Sequence, residues 1–129
     1  MIKEITVDVY LNSVFVLVGI DEREFDDFYY RNVTRITDDE YKAMRRDIAD
    51  DNTCNGFTIL LDSGNLVVFI RKGHEREDLV VVHEMYHATS KMLSRAGVEQ
   101  TNNEEPFAYL IAYLTNEYFN ALDNFENKK

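Results

Sequence analysis

Val80-Val81-Val82-His83-Glu84-Met85-Tyr86-His87-Ala88-Thr89 is the stretch on which the reading of this chain turns. It carries histidine-glutamate-x-x-histidine inside a segment free of proline and glycine, from about Glu75 to Ala96 and closed by Gly97, which predicts one long helix. Residues four apart on a helix stand one above the other, so imidazoles at 83 and 87 can be directed at a single ion. Glu84, about 100° round the helix from His83, reaches a water beside such an ion rather than the ion itself. That is the position of a general base. The three valines before His83 tolerate helix rather than favour it, and they make the stretch apolar enough to expect one end of the motif to be buried.

Two histidines leave a catalytic zinc one protein donor short, because such sites use three and keep a fourth position open. Cys54 and His74 are available, but Asn102-Asn103-Glu104-Glu105-Pro106-Phe107-Ala108-Tyr109 offers carboxylates at the start of the next helix, which a short connection sets antiparallel to the first. Glu105 aligns at helical spacing with Ala108, Tyr109 and Ala112, small enough in part for a close approach to the histidine helix. Glu104 aligns with Phe107, Ala108 and Ile111 and remains the alternative. Without a metal, both are an acidic pair favoured by the helix dipole.

Outward from this core, the other elements read in order. Ile5 to Tyr10 alternates apolar and polar residues and Ser13 to Val18 is β-branched and aromatic, so both are expected strands. Asp21-Glu22-Arg23-Glu24 opens a helix through Phe25, Phe28 and Tyr29, and Thr37-Asp38-Asp39-Glu40 has capping-box spacing for a second through Tyr41, Met44 and Ile48. Phe57 to Leu61 and Leu66 to Ile70, joined by Asp62-Ser63-Gly64-Asn65, predict a hairpin. Leu66 to Ile70, just before the histidine helix, is the expected edge strand on which an extended substrate could pair. The last helix should begin near Glu104 to Pro106 and run through Phe107, Leu110, Leu114, Tyr118 and Phe125. The expected fold class is α+β, a small and mainly antiparallel sheet packed on the histidine helix and the C-terminal helix, in a single domain spanning 1–129.

Composition narrows the function classes. With a formal charge of −10 from 24 acidic against 14 basic residues, the chain repels a phosphate backbone, and Arg71, Lys72 and Arg76 are too few to override that. No nucleic-acid partner is expected. Neither a signal-peptide core nor a run of about 18 apolar residues is present, so no membrane partner and a cytoplasmic location are expected. The single cysteine, Cys54, lies in the polar stretch Asp50-Asp51-Asn52-Thr53-Cys54-Asn55-Gly56, whose carboxylates oppose thiolate formation. It reads as a loop cysteine rather than a nucleophile.

The span Leu79 to Leu114 resembles the zincin superfamily, and within it the gluzincins, in which such a helix is followed by a glutamate ligand on the next helix. More narrowly it is similar to short zincin-like proteins of phages and prophages, which end in a segment like Glu104-Glu105-Pro106-Phe107-Ala108-Tyr109-Leu110. The resemblance implies a zinc metallopeptidase with one Zn2+ per chain, His83, His87 and Glu105 as ligands, Glu84 as catalytic base, and a peptide or protein as substrate. It assigns no oxyanion-stabilising residue, for which Tyr86, Tyr109, Tyr113 and His74 are candidates. Two other classes compete: a zinc-stabilised binding or regulatory module that no longer cleaves, and an α+β interaction domain without metal.

Overall fold

The computed structural model describes residues 1–33, 37–52, 54–73 and 75–127. Four strands form one sheet: β1 (Ile2–Val7), β2 (Asn12–Val18), β3 (Gly56–Leu60) and β4 (Leu66–Ile70). Among the described residues four helices accompany it: α1 (Glu22–Asn32), α2 (Asp38–Ala49), α3 (Glu77–Arg95) and α4 (Glu104–Asn127). The sheet order is β1-β2-β4-β3, with β1–β2 and β3–β4 antiparallel and β2–β4 parallel. The α+β class expected from sequence is therefore present, with a mixed sheet in which one central pairing is parallel.

Hydrophobic burial on both faces of β2 and β4 explains their place at the centre. Val14, Val16, Val18, Leu66, Val68 and Ile70 point to one face and pack with Val81, Met85, Ala88 and Met92 of α3 and with Leu110, Leu114 and Tyr118 of α4. Phe15, Leu17, Val67 and Phe69 point to the other and pack with Phe25 and Phe28 of α1 and Met44 and Ile48 of α2. Strands covered on both sides have no polar alternation to keep, as the unbroken run Leu66-Val67-Val68-Phe69-Ile70 shows. β4 is accordingly interior, which corrects the expectation of an edge strand there. The edge beside α3 is β3.

Local chemistry sets the element ends. Asp21 caps α1 by accepting from the Glu24 amide at 2.8 Å while the Glu24 carboxylate accepts from the Asp21 amide, a complete capping box. At α2, Thr37 Oγ1 accepts from the Glu40 amide at 3.2 Å, the forward half of the box expected there. β1 begins at Ile2 and ends at Val7, earlier than its alternation predicts, and Asp8–Tyr10 turns off as a 3-10 segment. The reason is that Ile5 and Val7 reach the core whereas Val9 stays 84% exposed. The C-terminus of α3 closes as expected, with Gly97 at φ 80 and the Val98 amide donating to Leu93 O at 2.9 Å. Among the described residues, no helix is long and apolar enough to cross a membrane.

Candidate metal centre

Three consecutive valines on a helix point in three directions, and only Val81 enters the core; Val80 is half-buried and Val82 is exposed. The next two residues divide in the same way. His83 turns to solvent with its side chain 66% accessible, while Glu84 turns inward and keeps 7%. One turn on, His87 is half-buried and brings its Nε2 to 3.1 Å from His83 Nε2, with the two rings 4.6 Å apart and nearly perpendicular. At that distance one imidazole donates to the other, and the separation is also close to the roughly 3.3 Å between two nitrogens bound at 2.0–2.1 Å to one tetrahedral ion.

Glu84 is held from the sheet. Thr58 of β3 places its Oγ1 2.8 Å from Glu84 Oε1 and 3.1 Å from the Glu84 carbonyl, so its hydroxyl hydrogen donates to the carboxylate or to the backbone. The other carboxylate oxygen, Oε2, lies 4.0 Å from His83 Nε2. Gly56, two residues before Thr58 on the same face of β3, is what allows this closeness. A Cβ there would sit 2.7 Å from Phe69 O, 3.0 Å from Val80 Cγ1 and 3.2 Å from Glu84 Cγ. Between β3 and α3 opens a cleft of about 380 Å³ lined by Asn55, Gly56, Leu79, Val80, His83 and Glu84.

The segment that leads into β3 is anchored by Arg71, which follows β4 directly. Its side chain is 11% exposed; Nε donates to Cys54 O at 2.9 Å, Nη1 to Ile48 O at 3.2 Å and to Asp51 Oδ1 at 2.9 Å, and Nη2 to Asp47 O. The guanidinium thus closes the C-terminal carbonyls of α2 and fixes the segment entering β3. Cys54 is half-buried and serves this clamp through its carbonyl. Thr58 and Gly56 were not among the residues singled out from sequence, and Arg71 was read only as part of a small basic cluster. A threonine in a strand carries no motif, and its pairing with Glu84 spans 26 positions.

The remaining candidates are placed as follows. Glu104 and Glu105 both lie in the first turn of α4 and are exposed. The face Ala108, Tyr109 and Ala112, expected to approach α3, is exposed too; α4 packs instead through Phe107, Leu110, Leu114 and Tyr118. The bulky apolar side chains, not the small ones, set the helix phase. Among the described residues, no three histidine, cysteine, aspartate or glutamate side chains converge as a metal-holding group, so His83 and His87 stand without a third protein donor beside them. His74 lies outside the described residues. Of the tyrosines, Tyr86 stands at the site, its ring 5.9 Å from that of His87 and its hydroxyl 3.4 Å from Gln100 Oε1. Tyr113 is tied to β1 by donation to Thr6 O at 2.9 Å, and Tyr109 is 75% exposed. No family model, curated protein or solved structure matches the chain.

Proposed function

We propose that the chain is a zinc-dependent hydrolase of gluzincin type, a small peptidase in which His83 and His87 hold the ion and Glu84 is the general base. The observation that carries this reading is the pair of Nε2 atoms 3.1 Å apart on the open side of α3, with a buried carboxylate at their flank. Folding alone does not account for Glu84. A carboxylate turned inward and met by one neutral hydroxyl adds no packing that an apolar residue there would not supply. The third protein ligand in this proposal is Glu105, with Glu104 as the alternative.

His83 and His87 would hold the zinc ion, which would supply Lewis acidity and a water nucleophilic at neutral pH. The protein groups do the rest. Glu84 accepts the proton of the attacking water and passes it to the leaving amine, and Thr58 keeps the carboxylate from turning away. The outer edge of β3 offers its backbone to an extended peptide, which the cleft at Gly56 and Leu79 receives beside His83. One observation favours a second reading, an α+β interaction domain without metal: among the described residues, neither Glu104 nor Glu105 stands with the imidazoles.

The test is metal stoichiometry. Protein purified without chelator should carry about one zinc per chain, lost in His83→Ala and in His87→Ala, and Glu105→Ala should weaken zinc affinity far more than Glu104→Ala. Unchanged stoichiometry in both histidine variants removes the site.

A further inference from the structure

The connection between β1 and β2 is built against its own stability. Leu11 adopts φ 56 and ψ 29, a left-handed conformation that asparagine or glycine accepts at lower cost than leucine. Its side chain nevertheless remains 90% exposed, and Val9, two residues earlier, is 84% exposed. An unburied leucine in a strained turn gains nothing from folding, so the fold does not explain its presence. Facing this turn, α4 exposes Tyr109 to 75%. A groove of about 370 Å³ lies between them, lined by Asp8, Tyr10, Pro106, Tyr109, Leu110 and Tyr113 among others. Donation to Thr6 O fixes the Tyr113 ring in its wall. Burial raises the Tyr113 pKa first, and the negative charges of Glu117 and Asp8 raise it further, so the groove sits in an acidic field.

We propose that this groove docks a segment of a partner protein that places a lysine or arginine side chain among Tyr10, Tyr109 and Tyr113, with apolar neighbours lying on Val9 and Leu11. Tyrosine faces and the Asp8 carboxylate attract a cation, while Leu110 and Pro106 take the aliphatic stem of the same side chain. Exposed apolar and aromatic residues with charged groups at their rim are the usual make-up of a contact surface. Charge selects the occupant. The chain carries −10, so a second copy would bring its own acidic rim against this one, and an anionic membrane or a nucleic acid would be repelled as well. The inference is independent of the metal site and stands on different residues.

Selection from a random peptide display library on the full chain, in about 50 mM salt to limit screening, tests the proposal. Enriched peptides should carry lysine or arginine beside aliphatic or aromatic residues. Their affinity should fall about tenfold or more in Tyr109→Ser, and less, with a flatter salt dependence, in Asp8→Asn. Both side chains are off the hydrophobic core, so the variants fold. Leu11→Asn should weaken the same peptides while the thermal midpoint stays level or rises, the mark of a residue kept for contact rather than for folding. No enrichment, enrichment of acidic or uncharged peptides, or equal binding by Tyr109→Ser overturns the proposal. A dimer of the free chain that Tyr109→Ser dissolves overturns it in favour of self-association.

Discussion

Thr58→Val isolates the contact that holds the proposed base. Valine keeps the shape of the threonine side chain and suits a strand, but it leaves Glu84 Oε1, now 2.8 Å from a hydroxyl, without that donor. A hydrogen bond to a charged group contributes about 1.5–3 kcal/mol, and the Glu84 side chain, 7% exposed, has little water to replace it. Better strand propensity returns a few tenths, so the net loss should be about 2 kcal/mol. With an unfolding entropy near 2.1 cal/mol/K per residue over 129 residues, each kcal/mol moves the midpoint by about 4 °C. Thr58→Val should therefore lower it by about 7 °C in metal-free protein, whereas Thr58→Ser should stay close to wild type. A double-mutant cycle with Glu84→Gln should return a coupling of about 1 kcal/mol, since the amide accepts a weaker bond. If Thr58→Val melts with wild type and the coupling is below about 0.5 kcal/mol, the hydroxyl does not hold Glu84.

Two further outcomes bear on the fold around the site. Gly56→Ala puts a Cβ 2.7 Å from Phe69 O, a backbone atom that cannot step aside, so it should cost about 1–3 kcal/mol in urea unfolding and increase solvent access to Glu84; a neutral effect means β3 does not approach α3 that closely. Tyr29 and Tyr118 are each pushed up to about 12, chiefly by burial, with Glu40 and Glu77 respectively adding like charge. Because their folded pKa lies above the unfolded value of about 10, the neutral phenols stabilise the fold fully below pH 10, and that contribution disappears as pH rises toward 12. Ultraviolet titration should show Tyr29 and Tyr118 ionising last of the eight tyrosines and together with unfolding, and uniform titration near pH 10 contradicts this.

The parts of the structure that were legible in the sequence are those with a local cause. The acidic start of α1 at Asp21-Glu22-Arg23-Glu24, the cap at Thr37, the Gly97 stop, the hairpin at Gly64 and the i, i+4 placement of His83 and His87 all depend on residues within a few positions of one another. What was misread depends on the sheet as a whole. Leu66 to Ile70 was expected at an edge, although a run with no polar residue already marks a strand covered on both faces. The phase of α4 was judged from small residues beside Glu105, whereas Phe107, Leu110, Leu114 and Tyr118 have far more apolar area to bury and so decide which side turns inward. Thr58 and Arg71 act across 26 and 23 positions, on the Glu84 carboxylate and the Ile48 carbonyl respectively, and no local pattern announces them.

The central claim is that Glu84 is a base beside a zinc held by its neighbours, and Glu84→Gln examines it most directly. Glutamine keeps the side chain's shape and its place against Thr58 but cannot take a proton. Zinc content and hydrolysis of a library of extended peptides should be measured side by side on wild type and Glu84→Gln. The account predicts about one zinc per chain in both and a rate lower by about 10² to 10⁴ in the variant. Wild type without zinc, or Glu84→Gln cleaving as fast as wild type, contradicts it; zinc in both with no peptide cleaved by either replaces the peptidase with the binding module.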